Sequence, residues 1–85
     1  MQISAQISLY PLKQRRLSPP IEEAWRILEE NRLDLQKGGM STVVSGPAER
    51  VFAAIQELFL RSAEKGSLSM VVTFSNACPI EAGGR

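Results

Sequence analysis

Residues able to take part in chemistry gather at the ends of strand-like segments. Ser41 and Thr42 open MSTVVS, Ser75 and Asn76 close VVTFSN, and Gln6 lies within QISAQISLY. Hydroxyls and carboxamides offer donors and acceptors without charge, which suits the holding of a small polar molecule. A second group is basic: Lys13, Arg15 and Arg16 precede a segment with the marks of a helix start. Guanidinium groups beside free helix N–H groups bind phosphate, which brings an acylphosphatase-like enzyme into view. Hydrolysis also requires a group that orients the attacking water, and no asparagine stands at the hairpin to do so. The plainer expectation for the basic run is a solvated loop. Cys78 has no cationic neighbour in sequence to activate its thiol, so it is expected to pack as a small side chain.

Composition removes several classes. The chain has no histidine, the commonest metal ligand and the usual general base near neutrality. Its single cysteine supplies neither a metal-binding pair nor an internal disulfide, so no metal and no cofactor are expected. A net charge of +1 creates no field favouring nucleic acid. Nor does MSTVVS carry the exposed aromatics that stack RNA bases. No apolar run reaches the roughly 18 residues of a membrane span, and the first ten residues alternate where a secretory signal would have a basic end and an apolar block. A reducing, cytoplasmic setting is the expectation.

The elements that must position these residues follow from periodicity. In QISAQISLY, Ile3, Ala5, Ile7 and Leu9 fall on one face and Gln2, Ser4, Gln6, Ser8 and Tyr10 on the other, the alternation of a half-buried strand ended by Pro11. SPPIEEAWRILEENRL places Ile21, Ala24, Trp25 and Leu28 at helical spacing, with prolines in the first turn. Trp25 is expected in the core. LDLQ is a second strand, Gly38-Gly39 a tight turn, and MSTVVS a third strand. Gly46 and Pro47 are expected as N-cap and first residue of a second helix, with Glu49 in its first turn. Val51, Ala54, Ile55, Leu58 and Phe59 form that helix's apolar stripe, which Gly66 closes, and the stretch from Ser67 to Pro79 holds the fourth strand.

This order, with right-handed crossovers, predicts an α+β fold: a ferredoxin-like βαββαβ sandwich whose four-stranded antiparallel sheet carries both helices on one face. The domain is assigned to residues 1–79, with 80–85 as a C-terminal tail. Ser41, Val43 and Ser45, together with Ser69, Val71, Thr73 and Ser75, then join the polar row of the first strand on the uncovered face. A core this small is thin, and that face carries Val43, Val71 and Tyr10. A homodimer or a dimer of dimers is therefore expected, through the sheet face or a sheet edge.

Four segments in order, AQISLYPL, MSTVVSG, VFAAIQELFLRSA and MVVTFSNACP, resemble the YkoF-like family that binds thiamine or its hydroxymethylpyrimidine half. The resemblance spans roughly residues 3 to 79. It implies a single-domain, ferredoxin-like, non-enzymatic binding protein linked to thiamine salvage or transport, and one that self-associates. The chain departs from the family in its basic KQRR loop and in the KGG turn before MST. For such a ligand the candidate contacts are Gln6, Tyr10, Met40, Ser41, Thr42, Phe74, Ser75 and Asn76. Hydroxyls and amides would read the pyrimidine nitrogens, and Tyr10 and Phe74 would sandwich the ring. Ser41 and Thr42 point to opposite faces, so one of them would touch a given ligand. The alternatives are a regulatory or assembly module that senses another metabolite through a ferredoxin-like dimer and, third, the acyl-phosphate enzyme.

Overall fold

The computed structural model describes residues 1–12, 18–38 and 41–77, with residues 18–21 described by backbone alone. In chain order the elements are β1 (Gln2–Pro11), α1 (Ser18–Glu30), β2 (Asp34–Lys37), β3 (Thr42–Pro47), α2 (Ala48–Ala63) and β4 (Leu68–Ser75). The strands form one antiparallel sheet in the order β2-β3-β1-β4. This is the ferredoxin-like sandwich expected from the sequence.

Alternation in β1 decides where the core lies. Ile3, Ala5 and Ile7, with Val44 of β3, are buried together with Ala24, Ile27 and Leu28 of α1 and with Val51, Ala54, Ile55 and Leu58 of α2. Both helices therefore cover the same face. Each fully buried Ile, Leu or Val contributes about 1.5–3 kcal/mol, so the helix-covered side holds most of the apolar stabilisation. No helix covers the reverse side among the described residues.

Several boundaries differ from the sequence expectation, each for a local reason. β1 continues through Pro11, because Pro11 stands opposite Leu68 of β4 and the Leu12 N–H donates to the Ser67 carbonyl at 2.7 Å. α1 ends at Glu30 rather than running on toward Leu33. Asn31 turns its Nδ2 back to the Ile27 carbonyl at 2.8 Å, and Arg32 adopts φ 60° in the left-handed region. That reversal delivers Leu33 to the core just ahead of β2.

Gly46 is not the helix cap. It pairs with Ile3 inside β3, and Pro47 is the N-cap, without a side-chain cap bond. A Cβ at Gly46 would lie 2.7 Å from Leu33 Cδ2, so glycine serves a close approach between layers. Glu49 keeps its place in the first turn of α2, and Gly66 takes φ 147° beyond the helix end. Phe59 departs from the expected stripe. One residue past Leu58, it is turned about 100° around the helix from that buried side chain, onto the flank of α2, and is exposed.

Candidate functional site

The helix-free face is a grid set by strand register. Asp34, Ser45, Ser4 and Ser75 form one row, and Gln36, Val43, Gln6 and Thr73 the next. Ser8 then lies beside Val71, and Tyr10 beside Ser69. Among the described residues of this face, Asp34 is the one charged side chain; the rest are hydroxyls, carboxamides, two valines and a tyrosine. Such a surface offers neutral hydrogen-bonding groups and some apolar contact.

Gln6 and Ser41 are brought together here. Gln6 Nε2 donates to Ser41 Oγ at 3.2 Å across the space between the first and third strands. Gln6 is exposed, so its carboxamide oxygen and second N–H face solvent. The position of Ser41 depends on the hairpin turn: the Gly38 N–H donates to the Ser41 carbonyl at 2.9 Å, and a Cβ on Gly38 would stand 2.8 Å from that same oxygen. Only glycine closes the turn this tightly. One row away, the hydroxyls of Ser4 and Ser45 are 3.3 Å apart, and Ser4 is buried between its neighbours.

The remaining candidates disperse. Ser75 shares the open face, and its Oγ accepts a bond from the Ala77 N–H at 3.0 Å. Asn76 follows it, exposed beyond the strand end. Tyr10 lies on the open face four residues from Gln6, about 13 Å along the strand. Thr42 faces the helices, where its Oγ1 accepts from Trp25 Nε1 at 3.1 Å. Ser41 and Thr42 do point to opposite faces, as alternation requires.

Phe74 also lies on the helix side, stacked on Phe52 of α2 with ring centroids 4.5 Å apart. A ring held between Tyr10 and Phe74 is thereby ruled out, since the sheet itself separates them. Nor are Trp25 and Phe74 core residues: Trp25 is half-buried at the rim, with the Lys37 ammonium 4.7 Å from its ring centroid, and Phe74 is exposed. Met40, the cations Lys13, Arg15 and Arg16, and Cys78 lie outside the described residues.

Asp34 and Gln36 were not among the expected site residues. The signal was present in DLQK: once Leu35 is assigned to the core side, period-2 alternation sends Asp34 and Gln36 to the open face. The Trp25–Thr42 bond had no such signal, because it joins elements far apart in sequence.

Charge is concentrated on the helices instead. The Glu23 carboxylate meets Lys65, Arg61 at 3.2 Å and Arg26 at 3.6 Å. Glu57 accepts from Asn31 Nδ2 at 3.1 Å and from Arg61 Nη1 at 3.0 Å. The Lys65 hydrogen bond, against the opposing effect of burial, holds the Glu23 carboxyl below its ordinary range, with Lys65, Arg26 and Arg61 adding charge attraction. The bonds from Asn31 and Arg61 lower Glu57 likewise. These pairs tie α1 to α2 and leave the opposite face of the sheet nearly neutral.

A family model described as the YKOF-related family matches residues 2–81. No curated protein matches the chain. Among solved structures, a protein of Streptococcus pneumoniae is similar with TM-score 0.85 at 14% identity, covering 95% of this chain and 92% of that one. A hypothetical protein of Methanocaldococcus jannascii gives TM-score 0.82 at 18% identity, covering 91% and 81%. A Thermotoga maritima protein, provisionally assigned to thiamine biosynthesis or salvage, gives TM-score 0.80 at 16% identity, covering 91% and 85%. At these identities the likeness shows a shared fold.

Proposed function

The chain belongs to the YKOF-related family, and from that premise we propose that it binds thiamine or its hydroxymethylpyrimidine half on the helix-free face of the sheet. The role is binding without catalysis, linked to thiamine salvage or transport, in a self-associated protein. The thiamine assignment of the Thermotoga neighbour supports this reading.

The observation that carries it is the solvent-facing carboxamide of Gln6, fixed by Ser41 and flanked by Val43 and Thr73. A carboxamide presents one donor and one acceptor in a plane. The 4-amino group and adjacent ring nitrogen of an aminopyrimidine present the complementary pair, the geometry by which Gln or Asn reads an adenine edge. Val43 and Val71 supply apolar surface for the ring, and hydroxyls of Ser41 and Thr73 complete the set. Each hydrogen bond contributes about 1 kcal/mol net, so a handful with ring contact reaches the micromolar range.

Calorimetry with thiamine and with hydroxymethylpyrimidine tests the proposal. Micromolar binding of at least one is expected, weakened about fivefold to thirtyfold by Gln6→Ala, the equivalent of one or two hydrogen bonds. Absence of heat and of any thermal shift with either ligand at millimolar concentration would overturn it.

A further inference from the structure

α1 grips the turn end of the β2–β3 hairpin. Trp25 and Glu29 are four residues apart and so lie on one side of the helix. Lys37 and Thr42, which they hold, stand opposite each other in the last rung of the β2–β3 ladder. The Trp25 Nε1–H donates to Thr42 Oγ1 at 3.1 Å, and the Lys37 ammonium lies 4.7 Å from the centroid of the Trp25 ring, within cation–π reach. The same ammonium meets Glu29 Oε2 at 3.3 Å. One indole therefore touches both strands of the hairpin. The contacts differ in weight: Lys37 and Glu29 are each about half exposed, and an exposed ion pair contributes little. The indole bond is part-buried and neutral, so salt does not screen it, and it is the firmer hold.

This end of the hairpin has to be held because of where β3 starts. Thr42 is the first residue of β3, and the β1–β3 register ends with it, opposite Ile7. Ser41 precedes the strand and takes its place from its neighbours. Strand ends fray unless they are tied down. Ser41 is tied by the Gly38 N–H, which donates to its carbonyl at 2.9 Å, and by its peptide link to Thr42. A planar peptide leaves two soft dihedrals, ψ of Ser41 and φ of Thr42, between the two residues. Anchoring the Thr42 side chain on the helix side therefore restricts the Ser41 side chain on the open side, where its Oγ accepts from Gln6 Nε2 at 3.2 Å.

We propose that Trp25 is a positioning residue for the ligand site on the far face of the sheet: its hydrogen bond to Thr42 fixes the start of β3, hence Ser41, hence the plane in which Gln6 presents its carboxamide. This rests on the binding reading above and adds to it a residue that touches no ligand. The sheet stands between the indole and the open face, so Trp25 acts through the backbone of Thr42 and Ser41 alone. The bond is complete in the free protein. It lowers the ordering cost of Gln6 before the ligand arrives and does not respond to occupancy.

Two-dimensional NMR of the ligand-free, ¹⁵N-labelled full chain tests the proposal on four variants. Trp25→Phe keeps a ring and removes the N–H, Thr42→Val removes the acceptor at nearly constant shape, their double variant removes both, and Thr42→Ser keeps a hydroxyl. Circular dichroism and melting establish that each is folded. In the wild type the Gln6 carboxamide is expected to be more ordered than that of Gln56, which is exposed on α2; equal disorder overturns the proposal without any variant. In Trp25→Phe and in Thr42→Val the Gln6 carboxamide is expected to lose that order, and hydroxymethylpyrimidine to bind about threefold to tenfold more weakly, the cost of ordering one side chain on binding. The double variant should lose no more than either single one, because both remove the same bond, and Thr42→Ser should keep the wild-type values. A folded Thr42→Val that melts lower while its Gln6 carboxamide is unchanged assigns the bond to stability alone and overturns the proposal. Should the wild type bind neither hydroxymethylpyrimidine nor thiamine while Gln6 loosens in the two single variants, the positioning stands and the ligand reading falls.

Discussion

In the proposed site, Gln6 is oriented by its neighbours. Ser41 holds one carboxamide N–H, and Gly38 holds Ser41, so the other polar atoms are presented in a fixed plane. Preorganisation of this kind lowers the ordering cost of binding. Asp34 plays a separate part. It is the sole charge on the open face among the described residues, two strands and two residues from Gln6, about 12 Å away. Thiamine carries a positive thiazolium that hydroxymethylpyrimidine lacks. With the pyrimidine at Gln6 and the thiazolium extending to within about 4 Å of the Asp34 carboxylate, the attraction through water is worth roughly 1 kcal/mol, so Asp34→Asn is expected to weaken thiamine about fivefold while leaving hydroxymethylpyrimidine within twofold. Calorimetry with both ligands checks this, and equal losses for the two would contradict it. The chemical character of this face was legible in QISAQISLY, where strict alternation gives each residue a side. The Tyr10–Phe74 sandwich failed on that same alternation, which sends Tyr10 to the open face and Phe74, between Thr73 and Ser75, to the helix side.

The two helices are joined to each other by a charge network as well as by the core. Glu23 and Glu57 are held deprotonated below the ordinary glutamate value of 4.5 by Lys65, Asn31 and Arg61. Carboxyls with lowered folded-state pKa contribute stability that is present above the unfolded value and lost as pH falls through the folded one. Stability is therefore expected to fall as the pH drops below the ordinary glutamate value of 4.5 toward the lowered folded-state values. The Glu23→Gln/Glu57→Gln variant should be less stable at pH 6.5 and show a flatter decline, as read from urea midpoints across that range. A decline as steep as the wild type's would show that other carboxyls govern it. At this scale the sequence was a good guide to which elements exist, since the change from period 2 to period 3.6 is unmistakable between Leu9 and Ile21. It was a poorer guide to their ends. Gly46 looked like a cap, yet its role is to admit Leu33, a contact visible only when the layers are stacked.

For the molecule as a whole, one sheet separates two environments. The helix-covered side takes the apolar rows of β1 and β3 and is packed. Its reverse takes the neutral polar rows and is open. The βαββαβ order and right-handed crossovers were enough to anticipate this division. The exposed flank of α2 was not anticipated, because Phe59 had the helical spacing of the buried stripe yet stands clear of the core with Phe52. Titration of ¹⁵N-labelled protein with hydroxymethylpyrimidine, followed by two-dimensional NMR, tests the assignment of the open face to ligand most directly. Saturable shifts are expected at the Gln6 carboxamide and at the backbone amides of Ser41, Val43 and Thr73, with the Trp25 indole and the Phe52 amide unmoved. Shifts centred on Trp25 and α1 with Gln6 silent, or no shifts at saturating ligand, would contradict it.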